Sequence, residues 1–256
     1  RTHYRLWVFR KPQGHAYVQR LWRSSSLALQ RPGPKTQFLV SDFTRNTMNG
    51  IARFLKKRWG LYILLLTPIL YLFLPRARSE TEFQADPAKY LLEHIGLSAT
   101  ILFVIALMIT PLRKIFTKSP LIKALAFHRR SIGVSVFIYA LLHLLIYFAY
   151  TGSWAGFVKD WGKLFILSGI IALILLLVLA ITSNNRSVRA LGGKRWKRIH
   201  RLAYAIMFLL IYHQATQEKT GYQETAKIFA PLLILQAYRI GLYGKRVLDQ
   251  RSKEQS

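Results

Sequence analysis

Cysteine is absent from the 256-residue chain, which excludes disulfides, thiolate metal sites, iron–sulfur clusters and haem attached through Cys. Acids are scarce: ten Asp and Glu stand against 38 Lys and Arg, for a formal charge of +28. A glycine-rich nucleotide loop is also missing, because Gly193-Lys194 is followed by Arg195 and lacks the earlier glycine of a phosphate-binding loop. Internal repeats of useful strength do not occur. Any cofactor must therefore be held by nitrogen, oxygen or packing.

What the chain does have is apolar length. Hydrophobic residues make up 52% and charged residues only 19%, too apolar and too unevenly charged for an ordinary soluble domain. Six segments, about 57–75, 90–112, 131–150, 163–182, 199–216 and 226–243, are long enough to cross a hydrocarbon core of about 30 Å, which takes roughly 20 helical residues. The chain is thus expected to be an all-α integral membrane protein, a six-transmembrane-helix bundle. Pro68 interrupts the first segment, which a membrane helix accommodates as a kink. The fifth carries Tyr, His and Gln and should face protein.

The charges follow the membrane. Between segments two and three lie Arg113, Lys114, Lys118, Lys123, Arg129 and Arg130, and between four and five Arg186, Arg189, Lys194, Arg195, Lys197, Arg198 and Arg201, with no acid in either stretch. The positive-inside rule makes these cytoplasmic loops, puts both termini inside and leaves Glu80, Glu82, Asp86, Asp160, Glu218 and Glu224 on outer loops. Basic loops of this kind bind membrane lipid, and nucleic acid is not an expected partner. Residues 1–47, rich in Arg and Ser with Asp42 as their one acid, read as a disordered or over-extended segment ahead of Met48. Residues 48–245 form the expected six-helix domain, and 246–256 a short polar cytoplasmic tail.

Histidines are the candidate functional residues, because hydrocarbon tolerates few ionisable side chains and those it holds tend to be functional. Asp86-Pro87 suits the cap and first position of segment two, which starts outside and places His94 near the outer surface. His143 lies about twelve residues past the inner start of segment three, or about 18 Å across, and His213 reaches a similar depth on segment five. That matching favours His143 and His213 as a facing pair able to supply both axial ligands to one haem. The alternative for each is a histidine bonded to a carbonyl or serving a proton relay. His200 stays at the inner end, about 140° from His213 on an ideal helix. His128 is a conceivable inner partner for it, or an interfacial histidine.

Several of these positions form a known pattern. Leu191-Gly192, Trp196, Ile199-His200, Leu202, Tyr204 and His213, with Asp86-Pro87, His94-Ile95-Gly96, Thr110-Pro111-Leu112, and Arg129-Arg130 through Gly133 to Leu142-His143, resemble the MsrQ family over about residues 52–243. The resemblance implies a ferric-reductase-like bundle in the bacterial inner membrane that holds b-type haem, with His143, His200 and His213 as ligands and His94 as a further cofactor-binding position. It implies one haem and leaves room for a second and for FMN. Electrons would pass from the quinone pool to MsrP, a periplasmic molybdopterin enzyme that reduces methionine sulfoxide. His128 and residues 1–47 have no counterpart in the pattern.

About a dozen polar residues follow the last segment, so no fused flavin and nicotinamide domain is expected and electrons must arrive from elsewhere. Arg129, Arg130, Lys194, Arg195 and Lys197 are candidates to hold a flavin phosphate, as well as being an ordinary positive-inside face. Two other classes stay open: a related b-type cytochrome reducing ferric iron or another acceptor, and a haem-free transporter in which the histidines relay protons.

Overall fold

The computed structural model describes residues 34–75, 79–217 and 221–254. Residues 1–33, together with Glu218 of one expected outer loop, lie outside the described residues. The chain divides into a unit ending at Met48 and a second unit, Asn49–Ser256. Among the described residues there is helix and no strand. The helices are α1 Pro34–Lys56, α2 Arg58–Tyr71, α3 Thr81–Ala85, α4 Pro87–Ile115, α5 Pro120–Phe127, α6 Arg129–Thr151, α7 Trp154–Lys159, α8 Leu164–Ile181, α9 Asn185–Ile199, α10 Leu202–Ala215 and α11 Gly221–Glu254.

Local chemistry sets several of these boundaries. Asp86 caps α4 by accepting from the Lys89 amide at 2.9 Å, with Pro87 next to it where no donor is needed. Asn184 caps α9 in the same way, accepting from Ser187 N at 2.8 Å. The basic stretch expected to be a loop is therefore helix, bent at Gly192, whose φ of 72° and ψ of 152° break the helical run. Pro68 inside α2 removes the donor that Leu64 O would have used. The Thr67 hydroxyl takes that carbonyl instead, at 2.6 Å.

The six expected segments correspond to α2, α4, α6, α8, α10 and α11. Of these, α4, α6 and α8 are long and apolar enough to cross a membrane. Helices α2 and α10 have 14 residues each and at 1.5 Å per residue are about 21 Å long, short of a full hydrocarbon core. The fifth segment is short because a tight turn at His200-Arg201 leaves Ile199 at the end of α9 and starts α10 only at Leu202.

Helices α4 and α6 pair along their length, as do α8 and α10, and each pair is antiparallel. Between them they enclose the main core, where Phe103, Val136, Leu176 and Ile206 meet Phe229 and Leu232 of α11. The outward faces are just as apolar: Ile138, Leu145, Ile174, Ile181 and Phe208 stand in the open. Water would penalise such a surface, and lipid does not.

Candidate functional site

The site is built from two matching halves. His143, near the end of α6, sends its Nδ1–H to the Leu92 carbonyl at the start of α4, 2.9 Å away. His213, near the end of α10, sends Nδ1–H to the Phe165 carbonyl at the start of α8, at 2.6 Å. A carbonyl can only accept, so both imidazoles are held with a proton on Nδ1 and a lone pair on Nε2. The two ring centres lie 6.5 Å apart with their planes at 90°. The structure thus brings together the two histidines that the depth argument paired.

One glycine completes each seat: Gly96, singled out from sequence only as part of the His94-Ile95-Gly96 pattern, and Gly169, which no sequence pattern marks. Gly96 lies one turn beyond Leu92 and Gly169 one turn beyond Phe165, each with the neighbouring imidazole packed over its bare backbone. The Gln217 amide stands 3.1 Å from His213 Nε2, donating to the lone pair that a metal would take. Next to His213 in the chain, Gln214 is buried and donates to the Thr100 hydroxyl of α4 at 2.9 Å. That bond ties the two hairpins together beside the pair.

The remaining candidates lie elsewhere. His94 donates from Nε2 to Pro68 O at 2.9 Å and is stacked with Tyr71 and Tyr90, so its ring closes the last turn of α2. Both tyrosine hydroxyls end on the Glu80 carboxylate. His128 is buried with its Nε2–H on the Lys56 carbonyl at 3.1 Å. His200 packs on Trp196 at 4.0 Å and shares a 3.3 Å bond with the Thr182 hydroxyl. The Arg130 guanidinium lies 5.6 Å from the Trp196 ring centre and donates to Asn185. His200 therefore belongs to a basic and aromatic cluster at the opposite end of the bundle from His143 and His213.

At the end where His143 and His213 meet, α6 leads into an aromatic collar. Phe157 of α7 contacts Tyr147, Phe148, Trp154 and Trp161. The Tyr147 hydroxyl donates to Asp160, which also pairs with Lys163 at 2.8 Å. The Lys163 ammonium first, and the Tyr147 hydroxyl second, hold the Asp160 carboxyl below the ordinary aspartate value.

Comparison with known proteins follows the same lines. Residues 95–211 match the family described as ferric reductase like transmembrane component. The chain is 30% identical over 187 residues to the protein-methionine-sulfoxide reductase heme-binding subunit MsrQ of Agrobacterium fabrum, covering 71% of this chain and 82% of that one. It is 34% identical over 193 residues to the subunit of the same name from Ralstonia nicotianae, covering 74% and 84%. The chain belongs to the MsrQ family. A match of 35% over 158 residues to the magnetosome protein MamZ of Magnetospirillum gryphiswaldense spans 60% of this chain and 24% of MamZ. No solved structure matches. Family and apolar helices together make this MsrQ-family chain a membrane protein.

The residues fit a haem. Protein-bound zinc takes three or four protein ligands, whereas no group of three or more His, Cys, Asp or Glu is gathered among the described residues. Two imidazoles alone complement a metal that brings its own equatorial ligands, as haem iron does. The two rings lie close, with centres 6.5 Å apart, and come from two different hairpins, so one group lying between the hairpins can meet both. Both Nδ1–H groups engaged by carbonyls match the arrangement that keeps a ligating histidine in one tautomer and orientation.

Proposed function

We propose that this chain is the haem-binding membrane subunit of a protein-methionine-sulfoxide reductase system, carrying electrons from the quinone pool across the bacterial inner membrane to the periplasmic molybdopterin enzyme MsrP. The observation that carries the reading is the His143 and His213 pair, each anchored through Nδ1 on a backbone carbonyl, which makes Nε2 the nitrogen able to take a metal. The names of the MsrQ relatives support haem binding and the methionine sulfoxide system.

In this reading the fold is a six-span bundle with both termini inside. The His143 and His213 end is the outer one, and the Arg129, Arg130 and Lys194 to Lys197 end faces the cytoplasm, as charge placement supports. His143 and His213 hold one b-type haem, which when bound supplies reversible one-electron transfer. The protein's own part is to keep both Nε2 atoms unprotonated, to shed the Gln217 amide from His213, and to surround the site with apolar walls that fix the potential. His200, with Trp196 and the arginines, is the position for a second haem or for the phosphate of FMN. His94 supports the outer haem from α4 while holding α2. MsrP docks on the outer segments Tyr150 to Lys163 and Glu218 to Lys227.

A second reading, a b-type cytochrome that reduces ferric iron, is favoured by the ferric-reductase-like match over residues 95–211. One series of measurements separates the readings. Detergent-purified protein should give a b-type reduced-minus-oxidised spectrum that His143→Ala and His213→Ala abolish. The reduced protein should then be reoxidised by MsrP with oxidised protein methionine faster than by ferric chelate. Colourless wild type made with ample haem sinks both readings, and preference for ferric chelate selects the second.

A further inference from the structure

We propose that Gly96 and Gly169 are paired positioning residues that seat the two imidazoles and fix their planes at right angles; this rests on the haem-binding reading of the site and adds to it. Each glycine lies one turn past the carbonyl that takes the neighbouring Nδ1–H, Gly96 after Leu92 and Gly169 after Phe165. A side chain there would stand in the ring. A Cβ on Gly96 would lie 2.7 Å from Nδ1 and 2.8 Å from Cε1 of His143. On Gly169 it would lie 2.8 Å from Cε1 and 2.9 Å from Nδ1 of His213. All four distances are shorter than Cβ contacts in real proteins, and the obstructed atoms belong to rigid rings already fixed by a hydrogen bond.

Backbone conformation is not what requires these glycines. The positive-φ glycines among the described residues are Gly152, Gly192 and Gly221, so Gly96 and Gly169 are in ordinary helix, where glycine is unfavourable relative to alanine. Both helices accept a weaker residue at the one position where the ring needs the space. The same device occurs independently in both hairpins, on different sequences, with the same carbonyl-to-glycine spacing of four. Each ring is pressed onto its own hairpin, and the geometry of the pair follows from how the two hairpins cross.

The test compares Gly96→Ala and Gly169→Ala with wild type and with Gly133→Ala, a helical glycine of α6 whose Cβ would meet nothing within 4 Å. Helicity and thermal midpoint of each purified protein report folding, haem titration reports affinity, and the ferric low-spin electron paramagnetic resonance spectrum reports the angle between the imidazole planes. Both seat variants should lose haem affinity by on the order of ten- to a hundredfold, as changes behind a metal ligand do, with an altered or high-spin ferric signal. Gly133→Ala should match wild type.

Perpendicular rings predict a single strongly anisotropic low-spin line for wild type, a readout that needs no variant to fold. A rhombic wild-type spectrum of parallel planes overturns the proposal, as do seat variants with wild-type affinity and spectrum. Wild type that takes up no haem overturns the haem reading itself, so the two failures are distinct.

Discussion

Tyr139 is 4% exposed in the middle of α6 and donates to Leu65 O of α2 at 2.7 Å, one of the few polar contacts in an apolar stretch. Tyr139→Phe should lower unfolding free energy in detergent by about 0.5–1.5 kcal/mol, the net worth of such a bond, while haem content stays at the wild-type level. At the collar, the depressed Asp160 carboxyl is a native-state gain that is present above the unfolded aspartate pKa and is lost as pH falls through the lower native value. The protection of residues 154–163 against hydrogen exchange, taken relative to the intrinsic rate at each pH, should therefore fall below the ordinary aspartate range, and Asp160→Asn should lower it at neutral pH too. Single residues were also where sequence reading reached furthest and stopped shortest. His143 and His213 were legible because a charged-capable ring deep in an apolar run is conspicuous. Their partners were not, since Leu92 and Phe165 act through backbone oxygens, which carry no signature of side-chain type. Gly96 and Gly169 could have been found from one signal, a glycine inside a long apolar helix where alanine would be the better former.

Elements were readable from length and apolarity, because hydrocarbon leaves helix as the form that satisfies its own backbone. The Asp86-Pro87 cap of α4 stands where its chemistry required. Breaks were harder to see. Ideal-helix arithmetic put His200 and His213 on one rod, whereas i to i−3 bonding around Arg201 and Tyr204 separates α9 from α10 and voids the angular comparison. Charge alone makes the basic stretch between segments four and five read as a loop, although Asn184 is a cap signal and Arg, Lys and Leu are good helix formers. Its bend at Gly192 makes a prediction at this scale. Gly192→Ala meets no obstruction, yet must hold a positive φ with an extended ψ, a region essentially reserved for glycine, at a cost of about 1–3 kcal/mol. The bend should relax, and Trp196, whose indole donates to Thr182 O at 2.9 Å, should shift its fluorescence as the inner cluster with His200 opens.

At the scale of the molecule, the candidate site is a joint. Neither hairpin holds both imidazoles, and beside them the Gln214 to Thr100 bond is a direct polar tie between the pair α4, α6 and the pair α8, α10. Haem bound across that joint should stabilise the whole bundle by mass action, by about 2.7 kcal/mol at a hundred times its dissociation constant. Protein purified after haem-depleted growth should melt earlier than haem-loaded protein, with the gap closed on titrating haem back. His143→Ala and His213→Ala should show no such gap. The joint also sets an order of events during synthesis. His213 is made seventy residues after His143, which is several seconds at the usual 5–20 residues per second. Through that interval His143 enters the membrane without its opposite number, but Leu92 precedes it in the chain just as Phe165 precedes His213. Each hairpin can therefore be delivered into lipid with its imidazole N–H already engaged, leaving cofactor loading as the last act of biogenesis instead of a condition for insertion.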